Sequence, residues 1–138
     1  DYQIIIRGGE KYLEKTWDIV NYLAIKHGMP EEDADVFAMS VGEACKNAIV
    51  YSKNNKDSAF ELVLTLSDEK IIAEVKNEGQ PIDIDGVEAF DIKQDFMQYQ
   101  NGGLGLPIIK KFMDEVKYER INDKNILSLV KNITSGKK

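Results

Sequence analysis

The sequence contains no apolar run of about 18 residues, the length a membrane-spanning helix needs, so no membrane span is expected. It has one cysteine, Cys45, which excludes an internal disulfide. It also has one histidine, His27. A lone cysteine and a lone histidine argue against a structural zinc site, thiol redox chemistry and a multi-histidine metal centre. The lone cysteine favours a reducing, cytoplasmic home. A Ser-His-Asp arrangement would have to be built on His27, which sits at the end of a helical pattern, where a capping or surface role is expected. No signal-peptide pattern opens the chain. Basic clusters are scarce too: Lys110-Lys111 and Lys137-Lys138 are the only adjacent pairs. With a net charge of −6 and a pI near 4.9, direct nucleic-acid binding is not expected, because phosphate contacts need grouped Lys and Arg.

What is present is enough for one folded domain, residues 1–138, with 43% hydrophobic and 30% charged residues. Tyr2–Gly8 reads as a strand stopped by Gly8-Gly9. Glu10–Gly28 reads as a helix through Leu13, Trp17, Ile19, Val20, Leu23 and Ala24, with Tyr12, Trp17 and Tyr22 expected in packing positions. After Pro30, a second helix is predicted from about Asp33 to Ser52. Ala59–Leu66 and Lys70–Asn77 form a β-hairpin pattern, and Val116–Ile121 with Asn125–Ile133 form another around Asn122-Asp123. A third helix is predicted over Leu104–Val116, with Pro107 in its first turn. The order β-α-α-β-β-loop-α-β-β implies an α+β, two-layer sandwich, with a mostly antiparallel sheet covered on one face by three helices.

Three constellations could carry chemistry. Glu43 and Asn47 lie one turn apart beside an apolar stripe on the second helix. A polar helix edge explains them; so does a pair in which Asn47 gives a neutral oxygen to Mg²⁺ and Glu43 acts on a water or hydroxyl. Asn77-Glu78-Gly79 ends a strand. That is either a plain turn or a corner where Asn77 meets a purine edge and Gly79 lets the ring approach the backbone. Asn101–Ile109 is a glycine-rich entry to a helix, with Gly102, Gly103 and Gly105 leaving amides near Leu104 and Leu106 free to face an anion. It is neither a Walker loop nor a dinucleotide fingerprint, since no Gly-Lys-Ser/Thr follows and no parallel βαβ unit surrounds it.

The order of the three, Glu-x-x-x-Asn, Asn-x-Gly, then Gly-Gly-x-Gly, resembles the Bergerat-fold (GHKL) ATP-binding superfamily of gyrase, Hsp90, histidine kinases and MutL. "EACKNAIVYS", "VKNEGQPID" and "NGGLGLPIIKKFMDEV" are most similar to the anti-sigma-factor serine/threonine kinases. The resemblance implies that Glu43 is the catalytic base and that Asn47 ligates Mg²⁺ on the phosphates of ATP. It further implies that Asn77 and Gly79 meet the adenine, that Gly102, Gly103, Leu104, Gly105 and Leu106 cradle phosphate, and that residues 78–102 hold an ATP lid. ATP or ADP with Mg²⁺ would be the cofactors. The partners would be a sigma factor and a STAS-type anti-sigma-factor antagonist, and the chain would act as a homodimer. In the family, the position of Asn77 normally carries Asp, whose carboxylate accepts a hydrogen bond from the adenine amino group. An Asn oxygen accepts it without charge and in one flip state only, so weaker or altered base selection is expected. The later Gly-Thr element of many relatives has only Ser128 as a hydroxyl here. Alternatives are a partner-binding protein without catalysis on the same fold, or a kinase-like domain of a larger signalling protein.

Overall fold

The computed structural model describes residues 2–53, 58–82 and 112–133. Strand β1 (Tyr2–Gly8) leads through a 3₁₀ turn (Glu10–Tyr12) into helix α1 (Leu13–Lys26) and helix α2 (Glu31–Tyr51). Strands β2 (Phe60–Leu66), β3 (Lys70–Glu78), β4 (Glu115–Ile121) and β5 (Lys124–Asn132) follow. They form one five-stranded sheet in the order β1-β2-β3-β5-β4, antiparallel throughout. The α+β reading holds. β5 inserts between β3 and β4, so the closing hairpin contributes its second strand to the sheet interior and its first to the edge. Most of the third helix predicted from sequence lies outside the described residues; Phe112 is helical and β4 begins at Glu115.

Strand alternation sorts the side chains. Phe60, Leu62, Leu64 and Leu66 of β2, Ile71, Ala73 and Val75 of β3, and Leu127 and Leu129 of β5 are buried. Phe37, Val41, Ala44, Cys45 and Ala48 of α2 join the same core. Small residues on this stripe let the helix sit close to the sheet. Burial pushes the Cys45 thiol well above its ordinary range, so it packs as an apolar group and is a poor nucleophile. Pro30 precedes the first turn of α2, and Glu31, Glu32 and Asp33 in that turn favour the positive end of the helix dipole. The helix therefore starts two residues earlier than Asp33. Trp17 of α1 packs on α2, where a Cβ at Gly42 would lie 3.6 Å from its ring. Tyr12 and Tyr22, expected in packing positions, are exposed. Thr16, Val20 and Ala24 set the inward phase of α1, and Tyr22 falls outside it. His27 follows α1 and bonds the Ser67 carbonyl across 2.5 Å, a structural tie rather than a reacting group.

The end of α2 is clipped to the end of β3 and to the β4–β5 turn. Gln80 N–H donates to Tyr51 O at 2.9 Å, Lys53 N–H to Glu78 O at 2.8 Å, and Gly79 N–H to Asp123 O at 2.9 Å. Asn122 turns the hairpin with φ 58°, a conformation Asn tolerates better than most residues. Lys53 Nζ adds an exposed pair to Asp123 at 2.6 Å. The Lys53 hydrogen bond, and then its charge, hold the Asp123 carboxyl below the usual carboxylate range. The folded state thus binds that proton less readily than the unfolded state. The pair's contribution is complete above the ordinary Asp range and is lost as pH falls through the depressed value. An NMR titration should place the Asp123 carboxyl midpoint below that of free aspartate, and Lys53→Met should return it. An unchanged midpoint in the variant would assign the shift elsewhere.

Candidate functional site

Ser40, Glu43 and Asn47 share one stripe of α2, at spacings that bring successive turns into line. Glu43 is 7% exposed. Lys46 Nζ lies 3.7 Å from its Oε2, longer than a charge-assisted hydrogen bond. Glu43 lines a groove of about 240 Å³ with Leu13, Trp17, Met39, Gly42 and Lys46. The Asn47 Nδ2 is buried and has no hydrogen-bond partner among the described residues, and the Ser40 Oγ is in the same position.

The second half of the site is the end of β3. Asn77 continues the inward phase of Ile71, Ala73 and Val75, so a carboxamide stands where an apolar side chain would otherwise pack. It is 5% exposed. Across the ladder its partner is Asn125, which is fully buried. Asn125 Oδ1 accepts from Tyr118 OH at 2.5 Å and from Arg120 Nη1 at 2.9 Å. Asn125 Nδ2 donates to Gln80 O at 2.7 Å and faces Asn77 Oδ1 at 3.4 Å. The Asn77 Nδ2 is buried with no partner among the described residues. Buried polar atoms are rarely left unpaired. Here two such amides, Asn47 and Asn77, stand on elements joined by the α2–β3 clip. Asn47 is one turn before Tyr51, and Asn77 is two residues before Gly79. Gly79 lies so close to α2 that a Cβ there would fall 1.9 Å from Tyr51 O; glycine is required by that contact.

The fold therefore brings the first two sequence motifs to one end of the sandwich. Gly102, Gly103, Leu104, Gly105 and Leu106 lie outside the described residues, as does the predicted lid beyond Ile82. Ser128 does not reach this end of the covered face. It pairs with Glu74 and Lys117 and is out of phase with Leu127 and Leu129. Asn125, which the sequence reading missed, is in phase with them, and a polar residue in the apolar phase of "NILSLV" was the signal. A larger cavity, about 330 Å³, opens at the same end of the sheet among Arg7, Glu61, Lys76 and Lys124. The buried Phe60 and Asn77 line it as well, whereas neither Glu43 nor Asn47 does. Among the described residues no cluster of three or more His, Cys, Asp and Glu could hold a metal by itself, and no helix is long and apolar enough to cross a membrane.

Residues 10–131 match the histidine kinase-like ATPase domain. The chain belongs to that family. An anti-sigma F factor of Thermoanaerobacter sp. (strain X514) is 30% identical over 108 residues, covering 78% of this chain and 75% of the relative. The serine-protein kinase RsbW of Bacillus licheniformis is 26% identical over 102 residues, covering 70% of this chain and 64% of the relative. Within the family the chain therefore groups with the anti-sigma-factor kinases. A crystal structure of the RsbU and RsbW domains of a Mycobacterium tuberculosis protein superposes with a TM-score of 0.69 at 12% identity. It covers 96% of this chain, which spans 33% of that longer chain; this likeness concerns the fold.

Proposed function

We propose that this chain is a nucleoside-triphosphate-dependent protein serine/threonine kinase that also acts as an anti-sigma factor. In this reading it holds a sigma factor, and it phosphorylates a serine on a STAS-type antagonist that competes for it. The observation that carries the nucleotide part is the pair of buried amide nitrogens of Asn47 and Asn77, without a hydrogen-bond partner among the described residues, at one clipped end of the sandwich, with the Glu43 carboxylate on the Asn47 face. The anti-sigma and serine-kinase part is supported by the names of the relatives. The partners and a homodimeric assembly belong to the proposal.

The residues fit a magnesium-bound triphosphate. No hydrogen bond within the described residues holds the Asn47 amide nitrogen, so the carboxamide is available to turn its neutral oxygen to a hard cation. Mg²⁺ takes few protein ligands where phosphates and water supply the rest. When bound, it would neutralise charge on the phosphates. Glu43 would accept the serine proton as the oxygen bonds to the γ-phosphorus and the diphosphate leaves.

Calorimetric titration with nucleoside triphosphates, with and without Mg²⁺, tests the nucleotide part. The expected result is Mg²⁺-dependent binding that weakens by about tenfold or more in Asn47→Ala, the loss of one contact to a charged group. Absence of binding for every triphosphate up to millimolar concentration would overturn it. The remaining reading would be a nucleotide-independent partner-binding protein on the same fold.

A further inference from the structure

The donors and acceptors around Asn125 fix which atom of the Asn77 amide is left without a hydrogen-bond partner among the described residues. Arg120 Nη1 is 2.9 Å from Asn125 Oδ1, and a guanidinium only donates. The Tyr118 hydroxyl accepts the Ile82 N–H at 3.0 Å, so its own proton goes to the same Oδ1. Asn125 must therefore present its amide nitrogen on the other side. One hydrogen goes to the Gln80 carbonyl at 2.7 Å, which only accepts and agrees with that orientation. The second faces Asn77 Oδ1 at 3.4 Å. Asn77 is then left to offer its Nδ2, a buried donor without an acceptor among the described residues. Turning the Asn77 amide over would remove the bond from Asn125 and set two N–H groups against each other.

Resting on the reading of this end as the base-binding end of a nucleotide site, we infer that the site selects a purine with a carbonyl at C6, guanine or hypoxanthine, over adenine. A C6 carbonyl accepts the hydrogen that Asn77 Nδ2 offers. Adenine carries an amino group at the same position, which also donates. Donor would meet donor, and the buried N–H would stay unpaired. A carboxylate at position 77 reverses the preference. It would accept from the adenine amino group, repel a carbonyl, and still be held by the Asn125 N–H.

The purified chain, with Mg²⁺, would be titrated by calorimetry with GTP, ITP and ATP. ITP lacks the 2-amino group of GTP and so separates the C6 carbonyl, with its N1–H, from that group. GTP and ITP should bind alike, and at least about tenfold more tightly than ATP, the scale of leaving one buried donor unpaired. Asn77→Asp should invert the order. Asn125→Ala, which frees the Asn77 amide to turn, should bring the GTP-to-ATP ratio toward one. Thermal melts check that each variant is folded, and the wild-type ratio decides the matter if one is not. ATP binding as tightly as GTP, or more so, overturns the inference and leaves the nucleotide site standing. A 6-oxo preference that survives in folded Asn77→Asp overturns the assignment to Asn77. No binding of any of the three overturns the nucleotide reading itself.

Discussion

Gly79→Ala is expected to lower stability by about 3 kcal/mol or more, combining an overpacked backbone contact with lost buried hydrogen bonds. The added Cβ would lie 1.9 Å from Tyr51 O and 2.9 Å from Tyr51 C. Both are backbone atoms, so no rotamer change relieves the clash. Separating the two segments breaks the Gln80-to-Tyr51 and Lys53-to-Glu78 hydrogen bonds that hold α2 to β3. It also disturbs the neighbouring Gly79-to-Asp123 bond. The backbone at Gly79 has φ +157°, which adds strain for any L side chain. A melt should show a fall of about 10 °C or more for a domain of this size. Gly42→Ala is the control. Its Cβ would meet only Trp17 Cδ1 at 3.6 Å, and alanine is the better helix former by about 1 kcal/mol. A Gly79→Ala melting temperature equal to wild type would mean that the clip can slide open without loss. Asn77 would then not be positioned by it.

The strands were readable as short β-rich runs bounded by turn residues: Tyr2–Gly8 as predicted, the others within a residue or so. The two-layer reading followed from helices whose stripes needed a sheet to cover. Sheet order was not readable. Hairpin chemistry around Asn122-Asp123 joins β4 to β5, but only the paired ladder shows that β5, not β4, lies against β3. That pairing decides the site, because it sets Asn125 opposite Asn77. Glu43, Asn47, Asn77 and Gly79 were named from their spacing. Asn125 was not, because a search for a hydroxyl led to Ser128 on the other phase of the same strand. Tyr22 and Ile19 were misplaced because the inward phase of α1 runs through Thr16, Val20 and Ala24 and leaves both outside it, while Trp17 still packs on α2. The close approach at Gly79 was legible only as a glycine. Its partner, the Tyr51 carbonyl, comes from the helix end and had no signal in sequence.

Glu43→Gln is expected to lower phosphoryl transfer about 10²- to 10⁴-fold, the range for removal of a positioned general base. Nucleotide affinity should stay within about threefold, since no nucleotide contact is assigned to it and Asn47 holds the metal in the proposal. Gln has nearly the shape of Glu, so the groove beside Leu13, Trp17 and Met39 should keep its packing. What changes is the ability to take a proton from an attacking hydroxyl. The variant therefore separates chemistry from binding, whereas Asn47→Ala removes binding first. Transfer of the γ-phosphoryl group to the serine of a candidate antagonist, followed beside the dissociation constant, reads both. The wild-type donor should be whichever triphosphate binds more tightly, so that base preference does not mask the catalytic effect. Unchanged transfer in Glu43→Gln would show that the carboxylate is a buried helix residue, paired loosely with Lys46, and that proton removal falls to another group. Lost affinity together with lost transfer would instead place Glu43 in the binding of the nucleotide.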